Sequence, residues 1–173
     1  MNSIDEYYKQ PGNQDEQKLI GHLCGILNGL KVLHKNDIQH GDLKPQNVMI
    51  DNDNNAVIID FGASKHIKTK PKHSLLSVVG ISFDYGTDKY KSPERKKSQK
   101  YDRKKDDIFA FGCILEYLYE RCKFENNETL EKQLKEVIRM TKNAEEFRPN
   151  ALYLYDIFST IKIKKIDFVS NTQ

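Results

Sequence analysis

Asp42, Lys44, Asn47 and Asp60 form an inventory suited to moving a phosphoryl group. Such a transfer needs a carboxylate to orient the attacking hydroxyl, a cation on the moving phosphate, and oxygen ligands for a divalent metal. Asp42, Lys44 and Asn47 lie on one loop leading into the apolar run Val48-Met49-Ile50, so three polar groups converge on one side of that loop. Asp60 arrives at the end of a neighbouring strand, Ala56-Val57-Ile58-Ile59. A hard cation held by few side-chain oxygens, with substrate phosphates completing the shell, suits Mg²⁺. Any one of these residues alone would be an ordinary turn residue. Their order and spacing carry the reading.

The stretch His40-Gly41-Asp42-Leu43-Lys44-Pro45-Gln46-Asn47, followed by Asp60-Phe61-Gly62, resembles the catalytic loop and metal-binding loop of the protein kinase family. Gly86 to Glu94, ending Ser-Pro-Glu, resembles the close of an activation segment. Asp107-Ile108-Phe109-Ala110-Phe111-Gly112 resembles the start of the family's central helix, and Arg148-Pro149 its closing motif. These motifs, in order, extend the resemblance over residues 3–158, the family's C-terminal lobe. Asp-Leu-Lys-Pro together with Thr87 resembles the Ser/Thr-specific branch.

The resemblance implies a catalytic set of Asp42, Lys44 and Thr87. It implies nucleotide contacts from Lys44, Asn47, Met49 and Asp60, with Asn47 and Asp60 as the metal ligands, ATP and Mg²⁺ as cofactors, and protein substrates carrying Ser or Thr. It further implies that His40 packs under the Asp-Phe-Gly loop, that Asp107 accepts hydrogen bonds from the catalytic-loop backbone, and that Glu94 and Arg148 form a buried ion pair.

Departures from the family pattern are equally specific. Gly41 stands where many kinases carry an Arg that receives an activation-segment phosphate, so a phosphate on Thr69, Ser74 or Ser77 is expected to lack its usual receiver. Between Cys122 and Arg148 there is room for one helix, over 128–141, where the family usually has two, and the one expected to be missing is a common substrate-docking surface. No G-x-G-x-x-G and no strand Lys accompany the motifs. Each charge-assisted hydrogen bond is worth about 1.5–3 kcal/mol, so losing two or three weakens nucleotide or transition-state binding by on the order of a thousandfold. The expectation is a truncated or split kinase, weakly active alone, that exposes Phe61 and Met49 until a separate chain covers the nucleotide face. The alternative is a pseudokinase-like scaffold that binds protein.

The 173 residues are enough for one core, and the expected fold is mainly α with a short β-hairpin, built around a buried central helix. Residues 1–158 are assigned to the lobe and 159–173 to a tail, where Ile161 to Ile166 alternates like an edge strand. Asp15-Glu16 and the residues before them read as a capping box from Asn13, opening a helix with Leu19, Leu23, Ile26, Leu27 and Leu30 on one face. Gly21, Gly25 and Gly29 on that helix are expected to allow close packing against another helix. The residues from Asp107 to Leu118 are apolar nearly all round, which predicts a helix buried on every side. Asp51 to Asn55 begins like a Ca²⁺ loop, but Ala56 and Gly62 stand where Gly and Glu are required, leaving a hairpin turn. Lys65, Lys68, Lys70, Lys72, Arg95, Lys96 and Lys97 read as a solvated basic face. A net charge of +3 calls for neither nucleic acid nor membrane as partner. Cys24, Cys113 and Cys122, an odd set without metal-site spacing, fit a cytoplasmic or nuclear setting.

Overall fold

The computed structural model describes residues 1–68, 86–97, 100–124 and 127–161. Thr69, Ser74, Ser77, Lys70, Lys72 and the alternating tail past Ile161 lie outside the described residues. The chain runs β1 (Asn2–Ser3), α1 (Ile4–Lys9), α2 (Glu16–Lys35), β2 (Ile38–Gln39), β3 (Val48–Ile50), β4 (Ala56–Ile58) and β5 (Lys65–His66). After these come α3 (Pro93–Lys96), α4 (Arg103–Tyr119), α5 (Glu128–Thr141) and α6 (Ala151–Thr160).

The expected central helix is α4. Asp102 caps it, accepting from the N–H groups of Lys104 and Lys105 at 2.8 and 3.3 Å. Every residue from Asp106 to Leu115 is buried, as is Leu118. Around it pack α2, which buries Leu19, Leu23, Ile26, Leu27 and Leu30, and α5, which buries Leu130, Leu134 and Val137. Phe111 of α4 meets Phe158 of α6 edge to face at 6.2 Å. The single helix expected between Cys122 and Arg148 is α5, with Asn127 as its cap. A 3₁₀ turn over Glu145–Phe147 follows it, and no other helix lies between them among the described residues. The last helix runs to Thr160, across the position where the tail was expected to begin.

β3 and β4 form the expected antiparallel hairpin, with Met49 opposite Val57. Its turn is closed by the Asp51 carboxylate, which accepts from Asp53 N–H at 3.0 Å and Asn55 N–H at 2.8 Å. The Asp51 carboxylate is therefore engaged in closing the turn. The first nine residues were not resolved into elements by sequence reasoning. They add β1, which pairs with β3, and α1, whose Ser3 and Glu6 form a reciprocal capping box. A Ser followed three positions later by Glu is a legible signal for such a start.

Two expectations about α2 need correction. Its N-cap is Asp15, which accepts from Lys18 N–H at 2.9 Å, while Asn13 instead donates to the Tyr7 carbonyl. Gly25 and Gly29 face a strand rather than a helix. A Cβ on Gly25 would stand 2.6 Å from the Ala56 carbonyl oxygen, and one on Gly29 would stand 2.9 Å from Ile58 Cδ1, whereas Gly21 faces open space.

Alanine substitutions should therefore differ in sign. Gly21→Ala should stabilise by up to about 1 kcal/mol through helix propensity. Gly25→Ala should destabilise by about 1–3 kcal/mol, because the clash is with backbone and cannot be relieved by a rotamer change. Thermal melts followed by circular dichroism read both, and equal shifts in the two variants would contradict the close packing.

Candidate active site

The loop between β2 and β3 is clamped from below by α4. Asp107 accepts from the backbone N–H of His40 at 2.9 Å and of Gly41 at 3.0 Å, and bonds His34 Nε2 of α2 at 3.0 Å. This is the role expected of Asp107. Gly41 has φ +82, and a Cβ there would lie 2.8 Å from the Ala63 carbonyl oxygen. The backbone conformation and the close approach both select glycine, so the departure at this position is built into the loop. His40 donates from Nε2 to the Ile59 carbonyl at 3.0 Å and accepts at Nδ1 from Asp42 N–H at 3.3 Å. Those partners define a neutral tautomer. Its ring meets Phe61 edge to face at 5.5 Å, so His40 does pack under the Asp-Phe-Gly loop as a support.

Above this floor the catalytic candidates converge. Asp42 receives Lys44 Nζ at 2.7 Å on Oδ2, and Thr87 N–H and Oγ1 at 2.8 and 3.1 Å on Oδ1. Lys44 Nζ also reaches Thr87 Oγ1 at 3.0 Å. Burial pushes the Asp42 carboxyl upward, but hydrogen bonds from Lys44 and Thr87 outweigh it and hold the pKa below the usual value. Asp42 is therefore ionised at neutral pH and acts as an acceptor. Asn47 turns its Nδ2 toward the Asp42 carbonyl at 2.9 Å and toward Asp42 Oδ2 at 3.2 Å.

Asp60 joins this group through the backbone. Ile59 N–H donates to the Asn47 carbonyl at 2.9 Å, so the residue after Ile59 emerges beside the catalytic loop. Asp60 is exposed and left-handed, with φ 62, and its Oδ1 accepts from Gly62 N–H at 3.2 Å. A non-glycine residue held there stores on the order of 1–3 kcal/mol, a cost concentrated at functional positions.

Met49 differs from expectation. It is half-buried, because β1 places Ser3 directly beside it. Phe61 is 51% exposed, as expected, and Val57 and Ile59 are exposed as well.

The closing motifs also meet. Arg148 Nη2 donates to both carboxylate oxygens of Glu94 at 3.0 and 2.9 Å, while its Nε donates to the Asn143 carbonyl at 2.9 Å. The Arg148 side chain is wholly buried beneath Phe109. Sequence reasoning missed Arg95 and Asp106. Arg95, read as part of a solvated basic run, is buried and paired with Asp106 at 2.8 Å. The available signal was Asp106 itself, a second acid at the buried start of an apolar helix, which requires a cation or several donors nearby.

A helical lobe around a buried pillar, carrying a short hairpin and a loop that brings Asp42, Lys44 and Asn47 together, matches the mainly helical lobe of a protein kinase fold. The family model described as "Protein kinase domain" matches residues 1–171, and the chain belongs to that family. Among curated relatives, it is 35% identical over 133 residues to serine/threonine-protein kinase VIK of Arabidopsis thaliana, covering 74% of this chain and 30% of the relative. It is 37% identical over 103 residues to serine/threonine-protein kinase fused of Drosophila melanogaster, covering 60% and 11%. Mitogen-activated protein kinase kinase 9 of Arabidopsis thaliana is 39% identical over 108 residues, covering 60% and 33%. The chain thus spans a third or less of the length of these relatives. Among the described residues, no helix is long and apolar enough to cross a membrane.

Proposed function

We propose that this chain carries the substrate- and metal-facing half of a Ser/Thr protein kinase, with Asp42, Lys44, Thr87, Asn47 and Asp60 as its working residues. The observation that carries the reading is the ionised Asp42 carboxylate held by Lys44 and Asn47 of its own loop and by Thr87 from the activation-segment side. The donor set fits Mg²⁺. Asn47 spends its Nδ2 on Asp42, and neither its Oδ1 nor Asp60 Oδ2 meets a donor among the described residues. Two protein oxygens from neighbouring segments match a cation that takes the rest of its shell from phosphates and water.

When bound, Mg²⁺·ATP supplies the γ-phosphoryl group and neutralises its charge. The chain's own residues do the positioning. Asp42 accepts a hydrogen bond from the substrate Ser or Thr hydroxyl, orients its oxygen, and takes the proton as the ester forms. Lys44 has three N–H donors, two of them used on Asp42 and Thr87, and offers the third to a phosphate oxygen. Thr87 fixes the Asp42 carboxylate plane from the activation-segment side. Met49 contributes the apolar floor beside the nucleotide base.

Two of the relatives named above, VIK and fused, are serine/threonine-protein kinases by name, which supports protein Ser/Thr side chains as the substrate class. The free cysteines Cys24, Cys113 and Cys122 support a cytoplasmic setting. A second reading, a scaffold, is favoured by the exposed side chains of Phe61, Val57 and Ile59, apolar groups suited to a covering protein chain.

Thermal stabilisation by ATP separates the two. Mg²⁺·ATP should raise the melting temperature, because a ligand that binds only the folded state stabilises it. ATP without Mg²⁺, or Asp60→Ala with both, should raise it much less. No shift in any of these samples would overturn the kinase reading in favour of the scaffold.

A further inference from the structure

Two consecutive acids open the buried part of α4, and Asp107 accounts for only one side of the catalytic loop. Asp106 is equally buried. Its carboxylate accepts from Ser92 N–H at 3.0 Å, Gln39 Nε2 at 2.9 Å and Arg95 Nη1 at 2.8 Å. The same Arg95 Nη1 donates to the Gly41 carbonyl at 2.9 Å. That carbonyl shares a rigid peptide plane with the N–H of Asp42. The peptide before Gly41 is therefore fixed by Asp107, and the peptide after it by Arg95 with Asp106 behind. Rotation of either plane would carry the Asp42 carboxylate away from Lys44 and Thr87.

Gly86 closes the arrangement from the activation-segment side. It sits at φ +112, and a Cβ there would stand 2.7 Å from the Gly41 carbonyl oxygen and 3.1 Å from Arg95 Nη2. The residue preceding Thr87 is thus packed onto the same carbonyl that Arg95 holds. A cation that Gly41 itself cannot provide reaches the loop from α3, and its counter-charge is a carboxylate of the chain.

Building on the kinase reading, we infer that Arg95, pinned by Asp106, is a positioning residue that holds the catalytic loop in working geometry without an activation-segment phosphate. The competing account is an ordinary structural ion pair. The two differ in what a neutral replacement does. Buried ion pairs can often be neutralised at both partners with little loss of stability, whereas removing one partner strands a charge. The double variant Arg95→Met/Asp106→Asn removes both charges and leaves an oxygen to accept from Ser92 N–H.

The inference predicts a thermal transition near wild type. It also predicts amide hydrogen exchange over residues 40–43 at least about tenfold faster, and kcat about ten- to a hundredfold lower with KM for a peptide substrate unchanged. Arg95→Lys, which keeps the charge opposite Asp106, should recover part of the kcat. Unchanged exchange in the loop, or a kcat loss matched by the fraction unfolded, would overturn the inference. If the wild-type chain transfers no phosphate, the kinase reading fails by itself. The exchange measurement still decides whether Arg95 holds the loop.

Discussion

Asp42→Asn should lower phosphoryl transfer by about 10²–10⁴-fold, the usual contribution of a positioned acid–base group. The substitution keeps the shape of the side chain and an oxygen to accept from Thr87 N–H, now bound at 2.8 Å. It removes the charge that Lys44 meets at 2.7 Å and the basicity that would draw on a substrate hydroxyl. Folding should be little affected, because Asp107 and Arg95, rather than Asp42, hold the loop backbone. Steady-state kinetics should show the loss in kcat with KM for ATP near wild type, because Asp60 is untouched and Asn47 keeps its bond to the backbone carbonyl of residue 42. A loss confined to KM would mean that Asp42 binds substrate without acting on it.

The largest stability effect is expected at Arg148. Its guanidinium is wholly buried, and the charge it meets, Glu94, is itself held below the usual carboxyl pKa: burial raises it, but hydrogen bonds from its own backbone N–H and Arg148 outweigh that. Arg148→Met leaves Glu94 without its cation and should cost about 3–5 kcal/mol. For a chain of this size that is a fall of roughly 6–20 °C in melting temperature. Combining it with Glu94→Gln should recover much of the loss, since no charge is then stranded, and a double-mutant cycle measures that recovery. Strictly additive losses would show that the pair is not coupled.

The site was legible in the sequence where function depends on residue type at fixed spacing. The Asp42–Lys44–Asn47 contacts, the packing of His40 on Phe61, the Asp107 clamp and the Glu94–Arg148 pair follow the motifs, because motif spacing encodes loop geometry directly. The central helix and α5 were legible because their apolar residues repeat at helical period over many turns. Short elements were not. β1 has two residues, too few for any period, and forms by pairing with β3 beside it. The glycines of α2 told of a close approach but not of its partner, since a strand and a helix both exploit a missing Cβ. Arg95 was misjudged for a different reason. A basic run on one line of sequence splits across a short helix, and only the fold shows that Arg95 turns inward to Asp106 while Lys96 and Lys97 remain exposed. Met49 was expected to be exposed, and no sequence signal pointed to β1, which lies beside it and leaves it half-buried.

The most direct measurement of the central claim is transfer of labelled γ-phosphate from ATP to a mixed peptide pool containing Ser, Thr and Tyr. The assay uses wild-type chain and Asp42→Asn, with and without Mg²⁺. The predicted result is slow Mg²⁺-dependent labelling of Ser and Thr by the wild type, absent in Asp42→Asn. No labelling by the wild type, or labelling that survives in Asp42→Asn, would contradict it.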